Sequence, residues 1–193
     1  MLAGWPLVGW TALAVGATAA EQLAANGAGA EGLRAVLRLT ARVSLALFLL
    51  AFIAAPLRRA WRVPLTAWLL ANRRYLGVSF GVSHLVHLLA ILQLTGWSAA
   101  GWFRQAGLVV GTIGGLGFVV LAAMVATSFD RTAAWLGPRA WSRLHRAGLY
   151  YLWVVFFLTD APKAGTSAVA AVSTALTAAA LGLRIAFRGP RGA

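Results

Sequence analysis

Apolar residues run along this chain in six long blocks, separated by proline, glycine, arginine or acidic residues. The blocks cover residues 2–20, 36–57, 75–95, 108–127, 141–159 and 168–183. A helix needs about 20 apolar residues to cross a hydrocarbon core of roughly 30 Å. The pattern therefore predicts an all-α fold, a polytopic membrane helix bundle of about six transmembrane helices, forming a single domain over residues 1–193. The sixth block, rich in alanine and threonine and poor in large side chains, has the weakest signal. The first block runs through small residues to Glu21, as a signal peptide does, but no lysine or arginine occurs before Arg34. Without a positive n-region it reads as a retained first helix.

Charge orients the bundle. The chain carries 17 lysines and arginines against four acids, with 61% hydrophobic residues. Such a basic balance would suggest nucleic acid, but the arginines sit in short clusters between apolar blocks and form no continuous stripe, so a nucleic-acid partner is not expected. Arg58, Arg59, Arg62, Arg73 and Arg74 follow the second block, and Arg131, Arg139, Arg143 and Arg146 follow the fourth. Arg184, Arg188 and Arg191 form the tail. The positive-inside rule puts these twelve on the cytoplasmic side, with both termini, and leaves Arg34, Arg38, Arg42, Arg104 and Lys163 on the other. Arg38 and Arg42 start a helix, from which their long stems reach the interface.

Other residue types narrow the chemistry. Cysteine is absent, which excludes disulfides, thiolate metal sites and cysteine nucleophiles. Tryptophans, among them Trp61, Trp68, Trp97, Trp102, Trp135 and Trp141, fall mainly near block ends and read as interfacial anchors. The glycine-rich run at residues 111–118 looks like a phosphate-binding loop, but it lies inside an apolar block with no strand before it. Close helix packing is the better reading, for Gly111 with Gly115 and for Gly77 with Gly81, each pair at small-xxx-small spacing.

All three histidines lie in or beside apolar blocks: His84 and His87 in the third, His145 at the start of the fifth. Ionisable groups in a membrane mark function, and neutral imidazole is a common metal and heme ligand. Positions three apart share a helix face, so His84 and His87 project to one side. At about 1.5 Å per residue they lie roughly 15 and 20 Å beyond Arg74, between midplane and outer leaflet. His145 should lie near the inner boundary, flanked by Arg143 and Arg146, where an interfacial role competes with a ligand role. Depth makes His84 a better match to His145 than His87 is.

The stretch RRYLGVSFGVSHLVHLLAIL, residues 73–92, resembles the third helix of ferric reductase-like transmembrane proteins. The nearest likeness is to the heme-binding membrane subunit of the bacterial periplasmic methionine sulfoxide reductase system. A second stretch, residues 126–152, resembles the same family through Thr127, Ser128 and Asp130, then Leu136, Gly137, Trp141, Arg143, Leu144, His145 and Arg146, with spacing shifted by one residue. The family-like core spans about residues 73–158. The resemblance implies a heme b cofactor, a metal held by His87 with His84 and His145 as further candidate ligands, and a bacterial inner-membrane location. It also implies a redox partner subunit.

One position departs from that family. Where its members carry a histidine thirteen residues beyond the one matched by His145, this chain has Leu158. The family's bis-histidine outer heme therefore cannot form in the same way. Three outcomes stay open: His84 pairing with His145, a five-coordinate heme on His87, or loss of the heme. Tyr150, Tyr151 and Met124 read as packing residues. The first functional expectation is a b-type heme protein relaying electrons to or from a partner subunit, at most the electron-transfer subunit of an oxidoreductase. Arg73, Arg74, Arg143 and Arg146 would meet heme propionates or an anionic partner. The alternative is a heme-poor accessory or scaffold subunit of a larger membrane complex. A carrier is disfavoured, because Glu21, Glu31, Asp130 and Asp160 all fall at block ends.

Overall fold

The computed structural model describes residues 2–188, and Arg191 lies outside them. The described residues form α-helices with no strand: α1 (Trp5–Asn26), α2 (Ala30–Ala60), α3 (Pro64–Leu94), α4 (Ala99–Ala106), α5 (Leu108–Ala126), α6 (Asp130–Leu136), α7 (Pro138–Asp160) and α8 (Ala168–Ala186). A short 3-10 turn, Ala161–Lys163, follows α7. Each apolar block is thus a helix, and two short helices, α4 and α6, occupy connections that hydropathy leaves blank.

Local chemistry explains the boundaries. Pro64 and Pro138 open α3 and α7, where a missing backbone N–H costs nothing. Both α2 and α3 reach 31 residues, well past their apolar blocks. Arginine is a good helix former, so helix continues through Arg58 and Arg59 at one end and through Arg73 and Arg74 at the other. Ser98 caps α4 by accepting from the Gly101 N–H at 3.0 Å.

Four helices, α2, α3, α5 and α8, are long and apolar enough to cross a membrane. They leave large apolar side chains on the outer surface, including Leu85, Leu89, Leu116, Val119 and Leu176, as contact with a lipid bilayer requires. Two further long helices share the bundle with a more polar composition. α7 carries Arg139, Arg143, His145 and Arg146 in its first half, and α1 ends in Glu21, Gln22 and Asn26.

The bundle is built around the α2–α3 pair, its largest interface. α1 lies across both, α5 packs on α7, and α8 bridges α2 and α7. Phe48 and Phe52 of α2 are fully buried and meet Phe80 of α3, Leu121 of α5, Leu152 of α7 and Ala180 of α8. Buried hydroxyls also stitch the α2–α3 seam: Ser44 Oγ donates to Ser83 Oγ at 2.9 Å. In lipid such bonds and close packing replace the hydrophobic drive between helices.

Glycines set the closest approaches, though not in the expected pairs. A side chain at Gly81 would strike Val125 of α5, whereas Gly77 has open space beside it. Gly111 meets the rings of Trp102 and Phe103 on α4, and Gly117 faces Val155 and Leu152 on α7. The tightest α5–α7 approach comes from Gly148 against Met124, a position outside either motif. Trp102, Trp141 and Trp153 also depart from a simple anchoring role. Their indole N–H groups donate to carbonyls of Gly111, Thr127 and Thr177 at 3.1, 2.9 and 2.8 Å, tying one helix to the next.

Candidate functional site: two polar cavities in the bundle

The candidate residues separate into two cavities. One, of about 600 Å³, opens between α2, α3, α4, α5, α7 and α8 and is lined by His84 and His87. The other, of about 330 Å³, is lined by Arg73, Arg74, His145, Arg146 and Arg184. Arg143 lines neither; it borders a shallow surface groove beside Arg139 and Tyr150.

In the histidine cavity, His84 and His87 stack face to face, with centroids 5.2 Å apart and planes only 4° from parallel. One helical turn of α3 places them so. His84 also lies 4.8 Å from the Phe118 ring and 5.2 Å from Phe80. Its Nδ1 is buried and has no hydrogen-bond partner. A buried unpaired polar atom is costly and calls for an explanation.

The second histidine is held differently. Thr40 Oγ1 donates to the Val36 carbonyl at 2.7 Å and lies 2.9 Å from His87 Nδ1. A hydroxyl has one proton, so with that proton committed to Val36 it accepts from His87 Nδ1–H. The neutral ring then keeps the Nε2 lone pair free. An N–H held by an oxygen on one side and a free nitrogen on the other is how metal-ligating histidines are oriented. Arg38, Arg42 and Lys163 border the same cavity, with Asp160 the carboxylate among them.

These features fit a planar, metal-bearing group approached from one side. They do not fit a bis-histidine pair made from His84 and His87, because two parallel rings on successive turns of one helix lie on the same side of any plane they approach. Leu158 is exposed on the outer face of α7, while Val155, Phe156 and Thr159 turn toward the cavity. Among the described residues no three His, Cys, Asp or Glu side chains come together as a metal site.

His145 belongs to the other cavity. Its ring stacks on Trp141 at 4.1 Å, and its Nε2 lies 3.0 Å from Thr127 Oγ1. Thr127 Oγ1 donates to the Ala123 carbonyl at 2.7 Å, so the same reasoning has His145 donating through Nε2–H. His145 and His84 line separate cavities, so they are not arranged as a ligand pair. The arginines singled out in the sequence divide between the cavities. Arg73, Arg74 and Arg146 border the His145 cavity, and the cations beside His84 and His87 are Arg38, Arg42 and Lys163.

Sequence reasoning missed Thr40, Phe118 and Arg184. Thr40 and Phe118 carry no signal in an apolar helix. Arg184 counted only as a topological charge, yet it donates to the Phe52 carbonyl at 2.6 Å and lies 4.6 Å above the Phe52 ring. No protein-family model, curated protein or solved structure matches the chain.

Proposed function

We propose that this protein is a b-type heme membrane protein of the ferric reductase-like kind, relaying electrons to or from a partner subunit in the bacterial inner membrane. In this reading α1, α2, α3, α5, α7 and α8 all span, and the arginine-rich connections and both termini face the cytoplasm. The observation that carries the reading is the His84–His87 stack on the wall of the 600 Å³ cavity, with one buried nitrogen unpaired and another freed by its tautomer.

His87 would hold the iron through Nε2, with Thr40 fixing the ring. His84, Phe118 and Phe156 would pack beside the macrocycle, and Arg38, Arg42 and Lys163 would meet its carboxylates. A heme bound here supplies reversible one-electron chemistry, and burial with axial-ligand identity sets its potential. The α7 residues that line the cavity with His87 are Leu152, Val155, Phe156, Thr159 and Asp160, none of them a histidine that would serve as a second imidazole ligand. Any soluble oxidoreductase chemistry would then reside in the partner subunit.

A second reading, a heme-poor accessory or scaffold subunit, draws on Leu158 and on the packing of Phe80, Phe118 and Phe156 around His84. Absorption spectra of oxidised and dithionite-reduced protein, purified in detergent from cells with ample heme supply, separate the two. A Soret band abolished by His87→Ala supports the relay. A colourless wild-type protein overturns it in favour of the scaffold.

A further inference from the structure

The second cavity has a composition that its own protein groups do not balance. Arg73, Arg74, Arg146 and Arg184 border it with His145, and no carboxylate is among its lining residues. The nearest acid, Asp130, takes only one of the Arg74 nitrogens, Nη1, at 2.5 Å, and its own side chain is 91% exposed. The other two Arg74 nitrogens, Nε and Nη2, are buried and unpaired. Guanidinium donors are expensive to leave unmatched, and the single Nε–Nη2 edge left open on Arg74 is a planar fork of the kind that suits a tetrahedral or carboxylate oxyanion.

The other wall is apolar. Phe48, Phe80, Leu121 and Leu152 are buried at its base. Gly77 leaves open space where a side chain would otherwise intrude. A cavity of about 330 Å³ is large enough for a headgroup and the first part of an apolar body, at the low end for a ligand site.

We infer that this cavity binds a phosphate-headed amphiphile, with the phosphate held by Arg73, Arg74 and Arg146 and the apolar part lying against Phe48, Phe80 and Leu121. Arg184 sits behind the site, fixed by the Phe52 carbonyl and by Tyr150 Oη, which accepts from Nε at 3.2 Å, and adds charge at a set position. Thr127 and Trp141 hold His145 at the rim. An anionic lipid headgroup and free inorganic phosphate present the same recognition chemistry to the arginines, but only the lipid also covers the apolar wall. The site is separate from the histidine cavity, so the inference stands whether or not a heme is bound there.

Binding of three probes to the detergent-purified full chain tests it: dihexanoyl phosphatidic acid, dihexanoyl phosphatidylcholine and inorganic phosphate, each followed by native mass spectrometry and by the shift of the thermal midpoint. Phosphatidic acid should bind at least about tenfold more tightly than phosphatidylcholine, and Arg73→Gln combined with Arg146→Gln should weaken it by about tenfold or more. Arg104→Gln, on the distant α4, should leave it unchanged. Competition by millimolar inorganic phosphate would assign the site to the phosphate group alone, and its absence would assign it to the lipid. Equal binding of the two lipids by wild-type protein would overturn the inference without reference to any variant. So would an unchanged affinity in a correctly eluting double variant.

Discussion

Thr40 on α2 and His87 on α3 meet through a 2.9 Å contact between Oγ1 and Nδ1, and this contact decides which imidazole nitrogen remains available. The threonine proton is already committed to Val36, so the histidine must donate. Thr40→Val keeps the shape and removes the acceptor. The expected result is a loss of about 1 kcal/mol in stability, since a buried donor is left unpaired, read as a lower thermal midpoint in detergent. If a heme is present, its reduced α-band should broaden or shift, because the ligand ring loses its orientation. Thr40→Ser should restore both.

The α7 residues that line the cavity with His87 give a sharper test of the proposed heme. If a heme is bound, Thr159→His would place an imidazole on the cavity side and should shift the spectrum toward a six-coordinate, low-spin form, visible in the Soret position and by electron paramagnetic resonance. Leu158→His should leave the spectrum as in the wild type, because that side chain is 47% exposed on the outer surface. A low-spin conversion by Leu158→His and not by Thr159→His would reverse the assigned face of α7.

Glycine substitutions should separate the real close contacts from the apparent motif. Gly81→Leu forces a stiff Val125 to move and should cost about 1 to 3 kcal/mol. Gly77→Ala meets nothing within 4 Å and should change stability by less than about 0.5 kcal/mol. Urea or thermal unfolding in a fixed detergent distinguishes them, and equal penalties would show that the small-xxx-small pair acts as a unit.

The Arg74–Asp130 ion pair joins α3 to α6 at the basic end. With the carboxylate 91% exposed, Asp130→Asn should cost less than about 1 kcal/mol, and the loss should shrink as salt is raised. A larger, salt-independent loss would mean that Asp130 shapes the α5–α6 connection.

Much of the architecture was legible along the chain, because a membrane helix must satisfy its own backbone and so shows itself as one continuous apolar block. The all-α class and the helical nature of every block follow from that local requirement, and helical spacing alone gives the shared face of His84 and His87. What lies between helices did not follow. Hydropathy carries no information on rotation about a helix axis, so it could not say that Gly81 and not Gly77 touches α5, or that Thr40 meets His87. Nor could depth alone say that His145 opens into a different cavity from His84. Those facts arise when α2, α3, α5 and α7 pack with particular rotations, and rotation is chosen by side-chain interlocking across sequence separations that no local pattern records.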